Sequence, residues 1–158
     1  MKATVAWVAL AAPGAAALGG LLLLAPASPR GRVPVPLAAA LGVAAGALLF
    51  AAVARRRPHP LRGRALSQVA LLGAWAASEE LFWRRFALAA LLPHGAVPAL
   101  AASTVAFATL HGRRPFAHLG TGGVFGAIYL ATGALAAPIG AHWVYNVLVG
   151  GDVRRRGS

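Results

Sequence analysis

The sequence contains no cysteine and only three acidic residues among its 158 positions. The lack of cysteine excludes a disulfide framework and a thiolate metal site. Any nucleophile must therefore be an oxygen atom of a side chain or of a bound water molecule. Because acidic residues are so scarce, a carboxylate within an apolar stretch needs a specific explanation.

Charged residues of either sign are rare. They make up 11% of the chain, against about 25% in typical soluble domains. In contrast, 59% of the residues are hydrophobic and the mean hydropathy is +0.70. This composition argues against a soluble fold and predicts an integral membrane protein. Since a membrane-spanning helix needs about 20 apolar residues, the length allows at most about six such helices and no separate soluble catalytic domain.

Six apolar stretches, separated by proline-containing segments, predict an all-α fold. We expect a polytopic membrane helix bundle of about six transmembrane or re-entrant helices. The first stretch resembles a signal peptide, but its length exceeds the usual core of about 7–15 residues, so we interpret it as an uncleaved helix. The last two are short, and one of them could be re-entrant. The predicted spans are Thr4–Ala25, Pro36–Ala54, Ala65–Leu92, Val97–His111, Phe116–Ala131 and Pro138–Val149.

The positive charge lies in short clusters between the apolar stretches. Although the net charge is +12, no basic face is interleaved with aromatic residues, which argues against nucleic-acid binding. We interpret the clusters as topology determinants. The positive-inside rule then makes both termini cytoplasmic and leaves only Arg30 and Arg32 on the opposite side. The cytoplasmic set is Lys2, Arg55–Arg57, Arg62, Arg64, Arg113–Arg114 and Arg154–Arg156.

Two of the three acidic residues, Glu79 and Glu80, lie near the middle of the third predicted span, with Arg84 and Arg85 one helical turn later. A charged residue at the centre of a membrane helix costs about 2.5–3.5 kcal/mol on insertion scales. Glu80 and Arg84 are i and i+4 neighbours that can pair. Glu79 points about 100° away around the helix, so its carboxylate is our candidate for a general base acting on water. The alternative is a purely structural ion-pair cluster.

Two further pairs in apolar helices share the i, i+4 spacing, Phe107 with His111 and His142 with Asn146. A histidine can bind a metal, hold a water or transfer protons. An asparagine can donate a hydrogen bond to a developing oxyanion. Together with the glutamate pair, these residues predict a polar site within the bundle.

Other residues receive structural interpretations. His118 follows an Arg-Arg-Pro loop and is predicted to lie at the membrane interface. Trp75, Trp83 and Trp143 could line a substrate groove, but aromatic packing is the preferred explanation. Three glycines predict a close-packing helix face rather than a nucleotide loop. They are Gly122, Gly123 and Gly126.

Three motifs follow one another along the chain, on the third, fourth and sixth predicted helices: Glu79-Glu80-x-x-x-Arg84, Phe107-x-x-x-His111 and His142-x-x-x-Asn146. In this order they resemble the CAAX prenyl protease and bacteriocin-processing family, also called Abi or CPBP, which is related to the Ras-converting type II prenyl endopeptidases. Any one motif alone would be weak. The resemblance suggests three regions: two N-terminal transmembrane helices with a basic loop (1–64), a protease-like domain (65–151) and a basic cytoplasmic tail (152–158).

The resemblance implies hydrolysis of a peptide bond in a polar cavity within the membrane. By analogy, Glu79 and His111 would activate the attacking water, whereas His142 and Asn146 would stabilise the tetrahedral oxyanion. The residues with supporting roles would be Glu80, Arg84 and Phe107.

The alternative for this family is a zinc site formed by Glu79, His111 and His142. We favour a mechanism without a metal or other cofactor, because the sequence offers no additional carboxylate to orient the histidines. The expected partners are membrane lipids and a membrane-associated or lipidated peptide. The Arg-, Ala- and Gly-rich composition suggests a bacterial inner membrane.

Two other functions stay open. A proton-coupled transporter could use the same residue types and would show pH-dependent flux. A catalytically inactive scaffold or immunity protein is the other possibility, although the complete set of motif residues argues against it.

The predicted spans place the candidate residues at different depths. His111 would lie near the cytoplasmic interface, Glu79 in mid-bilayer, and His142 on a helix that enters from the other side. A single site requires one depth, which tilted, broken or re-entrant helices could provide.

Overall fold

The computed structural model describes residues 31–54, 66–111 and 115–149. The predicted span Thr4–Ala25, the predicted tail 152–158 and the arginine clusters lie outside these residues. Within the described ranges all regular structure is helical and no strand occurs, so the all-α prediction is confirmed.

Five helices make up the described part of the chain, and each coincides closely with one of the last five predicted spans. Helix α2 changes type along its length: it is α-helical over Leu66–Glu80, π-helical over Leu81–Leu88 and α-helical again over Ala89–Leu91. A 3₁₀ turn follows at Leu92–His94. The other helices are α1 (Val35–Ala54), α3 (Ala96–Leu110), α4 (Pro115–Thr132) and α5 (Ala136–Val149).

Glycine and proline explain where the helices begin and end. Gly95, between the 3₁₀ turn and α3, has φ +106°, and Gly133 after α4 has φ +66°. Other residues rarely adopt such angles. The Gly133 N–H donates to the carbonyl of Tyr129 at 2.8 Å, which closes the C-terminus of α4 in a left-handed cap. Pro115 opens α4 at a position where a helix needs no N–H donor.

Helix α5 lies at the centre of the bundle and contacts α1, α2 and α4. Its approach to α1 is backbone to backbone. A Cβ added at Gly42 would fall on the carbonyl of Ala137, and one added at Gly46 would fall on that of Ala141. Small residues spaced four apart allow such contact between helices in lipid. The second predicted span therefore supports α5 directly, although it lies outside the motifs.

The predicted glycine face on α4 is confirmed at two of its three positions. A Cβ at Gly122 would come within 2.8 Å of the Phe107 ring. One at Gly126 would collide with Leu100. At Gly123 the nearest atom would be 4.0 Å away, so that residue is not part of the close contact.

One helix within the described residues is long and apolar enough to cross a membrane, at Val35–Val53. Helix α3 is also apolar, but its 15 residues extend only about 22 Å. That is less than the hydrocarbon thickness of about 30 Å. Helix α5 has 14 residues, consistent with the short final stretch in the sequence.

Candidate active site

The glutamate pair lies where the α-helical part of α2 gives way to its π-helical part. Interruptions of this kind are frequent at functional sites. The two carboxylates have different surroundings. The Glu80 side chain is completely buried, whereas that of Glu79 is 18% exposed.

Glu80 connects α2 to α5. Its Oε2 accepts a hydrogen bond from Nε of the equally buried Arg84 at 2.8 Å, so the predicted i, i+4 pair is formed. Its Oε1 lies 2.8 Å from Nδ1 of His142. Because a carboxylate oxygen can only accept, the imidazole must donate from Nδ1.

His142 is oriented by that hydrogen bond and by an aromatic neighbour. With the proton on Nδ1, Nε2 of the neutral ring is an acceptor, and it lies 3.6 Å from Oε2 of Glu79. The ring stacks on Phe125, with centroids 4.9 Å apart. The side chain is thus fixed on both sides, and Nε2 faces the second carboxylate.

His111, at the C-terminus of α3, has a corresponding arrangement. Its Nδ1 lies 2.7 Å from the carbonyl oxygen of Phe107, so Nδ1 donates and Nε2 is again the acceptor. Nε2 lies 3.6 Å from Oε1 of Glu79. The buried Phe107 ring packs against the imidazole at 4.2 Å and lies 5.7 Å from the Arg84 guanidinium carbon. Phe107 therefore supports His111 with both its backbone and its ring.

Hydrogen-bond acceptors face one another in this site. The two oxygens of Glu79 lie opposite the Nε2 atoms of His111 and His142, each at 3.6 Å. That distance is too long for a direct hydrogen bond. A water molecule could donate one hydrogen to a carboxylate oxygen and the other to an imidazole nitrogen. The site is therefore complementary to water or to another donor.

A cavity of about 150 Å³ adjoins these atoms. It is large enough to hold water molecules. It brings together all four residues predicted to be catalytic, together with Phe107, whereas Glu80 and Arg84 are buried. Its lining consists of Trp75, Glu79, Phe107, His111, His118, Thr121, Phe125, His142, Tyr145 and Asn146.

The predicted difference in depth between the candidate residues is wrong for their side chains, which meet. The two carboxylate oxygens of Glu79 lie 3.6 Å from Nε2 of His111 and of His142, so the three side chains reach one level. The short turn at Leu92–His94 joins α2 to α3, and α3 returns along α2 so that His111 at its end comes beside Glu79.

The structure contradicts one argument for a metal-free site, namely that no carboxylate is available to orient the histidines. A carboxylate does orient a histidine, since Glu80 accepts from His142, as is common behind zinc ligands. Glu79, His111 and His142 also carry donor atoms that zinc accepts. Nevertheless, no group of three or more His, Asp or Glu side chains in the described ranges is arranged to hold a metal ion.

Two further residues, for which the sequence predicts other roles, line the cavity. His118 lines the cavity, with its ring centroid 4.6 Å from that of His111. Helical spacing could have indicated this, because His118 shares a face with Gly122 and Phe125. Trp75 donates from its indole Nε1 to Oε1 of Glu79 at 2.6 Å. It precedes Glu79 by four residues, the spacing used for the other pairs.

The chain also matches a known protein family. A family model described as type II CAAX prenyl endopeptidase Rce1-like matches residues 62–148, more than half of the chain. No curated protein and no solved structure matches this chain.

Proposed function

This chain belongs to the Rce1-like family of type II CAAX prenyl endopeptidases, and from that premise we propose that it is an intramembrane endopeptidase with a glutamate-activated water. The family predicted from the three motifs is confirmed, and it is a family of proteases. The proposed substrate is a membrane-associated or lipidated peptide, and the water would be activated by Glu79 together with His111.

One observation carries the mechanism. The Glu79 carboxylate lies between two imidazole Nε2 atoms, 3.6 Å from each, beside a cavity with room for water. Both imidazoles donate from Nδ1 to Phe107 and Glu80 and so present acceptors to the cavity. Such a site can bind water and withdraw a proton from it.

In the proposed reaction, a water held by Glu79 and His111 attacks the carbonyl carbon of the scissile peptide bond. Its proton passes to the Glu79 carboxylate while a C–O bond forms and the carbonyl oxygen becomes an oxyanion. The intermediate then collapses, the C–N bond breaks, and the proton on Glu79 moves to the leaving amine. The products are a carboxylic acid and an amine, and Glu79 returns to its starting state.

The oxyanion would be stabilised by Asn146 and His142. Asn146 lines the cavity and has an amide that can donate directly. The neutral His142 donates from Nδ1 to Glu80 and presents Nε2 as an acceptor, so Asn146 is the direct donor and His142 would join it only after Nε2 has taken up a proton. Oxyanion donors of this kind contribute about 2.7–4 kcal/mol to transition-state stabilisation.

We further propose that the helices described here lie within the bilayer as part of a polytopic bundle. Members of the family are integral membrane proteins. Large apolar side chains are exposed on every helix of the described part of the chain, and six of them lie on α1 alone, an extent of apolar surface that favours contact with lipid. Examples are Leu48, Leu66, Val97, Phe116 and Trp143. A bacterial inner membrane with cytoplasmic termini is the proposed location.

The test uses the full-length protein in proteoliposomes and a fluorogenic peptide that ends in a prenylated CAAX sequence. The wild type should cleave it, and Glu79→Gln should lower kcat/KM by about 10²–10⁴-fold, the usual contribution of general acid–base catalysis. Ser78→Ala is the matched control, because Ser78 is exposed beside Glu79 and its hydroxyl donates to the Ala74 carbonyl of its own helix. The same peptide without the prenyl group measures lipid dependence.

Two results would contradict this proposal. If wild type cleaves neither peptide, or if Glu79→Gln retains full activity, the glutamate-activated peptidase is wrong. The peptides are also assayed with 1,10-phenanthroline. Activity that is lost with the chelator and restored by zinc would replace the glutamate mechanism with a metal-dependent one.

A further inference from the structure

Trp75 lies one helical turn before Glu79 on α2 and forms a short hydrogen bond to it. The indole Nε1–H donates to Oε1 of Glu79 at 2.6 Å. The Trp75 side chain also lines the cavity. It is 54% exposed, so burial alone does not fix the position of its ring.

This hydrogen bond makes the two oxygens of Glu79 inequivalent. Oε1 accepts from Trp75 and faces Nε2 of His111, whereas Oε2 faces Nε2 of His142. The contacts to both imidazoles are 3.6 Å long, beyond hydrogen-bond distance. A glutamate has three rotatable side-chain bonds, and the Trp75 contact is the short one that selects a conformation here.

We propose that Trp75 is a positioning residue that holds the Glu79 carboxylate in the orientation needed to accept a proton from water. The indole bond to Oε1 keeps that oxygen facing Nε2 of His111, where the proposed water lies, and leaves Oε2 facing Nε2 of His142. This inference deepens the proposed function and rests on it. Trp75 acts through Glu79, and we assign it no contact with the reacting atoms.

The chain offers a matched control for this hydrogen bond. Trp143 on α5 is 37% exposed and donates from its indole Nε1 to the backbone carbonyl of Val69 on α2 at 2.9 Å. The donor is again an indole N–H, but this bond joins α5 to α2 and its acceptor is a backbone carbonyl, not the proposed base. Trp143→Phe therefore removes an indole hydrogen bond that does not involve Glu79.

The first experiment needs no substrate. Full-length protein with ¹⁵N-labelled tryptophan in nanodiscs gives one indole N–H resonance for each tryptophan, and the Trp75→Phe and Trp143→Phe variants assign the two of interest. Glu79→Ala should shift the Trp75 resonance and leave that of Trp143 unchanged. If the Trp75 resonance does not shift, the hydrogen bond is absent and the proposal is wrong.

The second experiment measures cleavage of the prenylated CAAX peptide. Trp75→Phe should lower kcat by about 10²-fold, the effect of a misplacement of about 1 Å at a reacting group, with KM changed less than about threefold. Trp75→His, which retains a ring N–H, should recover part of kcat, and Trp143→Phe should match wild type. A Trp75→Phe variant with wild-type kcat, or with a raised KM alone, overturns the positioning role.

The two experiments separate the possible failures. If wild type cleaves no peptide, the proposed function fails, and the indole resonance still decides whether Trp75 holds Glu79. If wild type is active and Glu79→Gln is not, but Trp75→Phe behaves like wild type, only the inference about Trp75 fails.

Discussion

Glu79 and Glu80 are consecutive residues with the same side chain, yet they lie in opposite surroundings. On the buried side, Glu80 bonds Arg84 and His142 at 2.8 Å each and is shielded from solvent. On the cavity side, Glu79 accepts from Trp75 and faces two imidazoles across 3.6 Å. Glu80 is therefore held by a cation and a histidine away from solvent, whereas the Glu79 side chain stays 18% exposed at the cavity. We therefore expect buried-side variants to lose stability and cavity-side variants to lose activity.

The largest effect on stability should come from Arg84→Met. The substitution leaves Glu80 buried without its cation, and breaking a buried pair in this way costs about 3–5 kcal/mol. Chemical unfolding in detergent micelles measures the change. In the same assay Glu79→Gln should alter the free energy of unfolding by about 1 kcal/mol or less, because its side chain is at the cavity.

A double variant, Glu80→Gln with Arg84→Met, sharpens this prediction. It removes both charges, so it should unfold less readily than Arg84→Met alone. It should still have low activity, since His142 loses the carboxylate that orients it. If Arg84→Met were as stable as wild type, the buried Glu80–Arg84 pair would not stabilise the fold, and this prediction would be wrong.

The next largest effect on stability should come from Gly42→Ala, which tests the close packing of α1 against α5. In Gly42→Ala the new Cβ would meet the Ala137 carbonyl, and overpacking of this kind costs about 1–3 kcal/mol. Gly120→Ala on α4 is the control, because a Cβ there has no atom within 4 Å. It should be neutral or stabilising by about 0.5–1 kcal/mol. Equal unfolding midpoints for the two variants would contradict close packing of α1 on α5.

The smallest effect should come from His118→Phe on the cavity side. The ring next to His111 is retained and only its nitrogen atoms are lost, so kcat/KM should fall less than about tenfold. Cleavage of the prenylated CAAX peptide is the assay, with His111→Phe in parallel as the variant expected to lose far more. If both variants lose the same activity, His118 shares in proton transfer.

Hydropathy predicted the described helices closely, because apolar stretches and the prolines between them determine where helices form. The Glu80–Arg84 pair was predicted as well, since i, i+4 neighbours need no tertiary information. The Glu80–His142 hydrogen bond joins residues 62 positions apart, and no local pattern in this sequence indicates it. The same limit applies to the contact of Gly42 with α5.

Other differences came from interpreting each residue by its immediate neighbours. His118 was assigned to an interface because an arginine loop precedes it, but its position on α4 turns it toward His111. Separate spans also predict different membrane depths for Glu79 and His111. The short turn between α2 and α3 cannot be foreseen from either span, and it brings the two side chains together.

The cavity is only partly enclosed, which bears on how a lipidated substrate would bind. If the peptide group to be cleaved enters the cavity with its attacking water, a long hydrocarbon tail on the same molecule can extend out of it. In the proposed membrane setting, that tail would lie among the acyl chains of the bilayer. The lipid would then serve as a tether that raises the local concentration of the scissile bond, and selection within the protein would depend on the part of the peptide that enters.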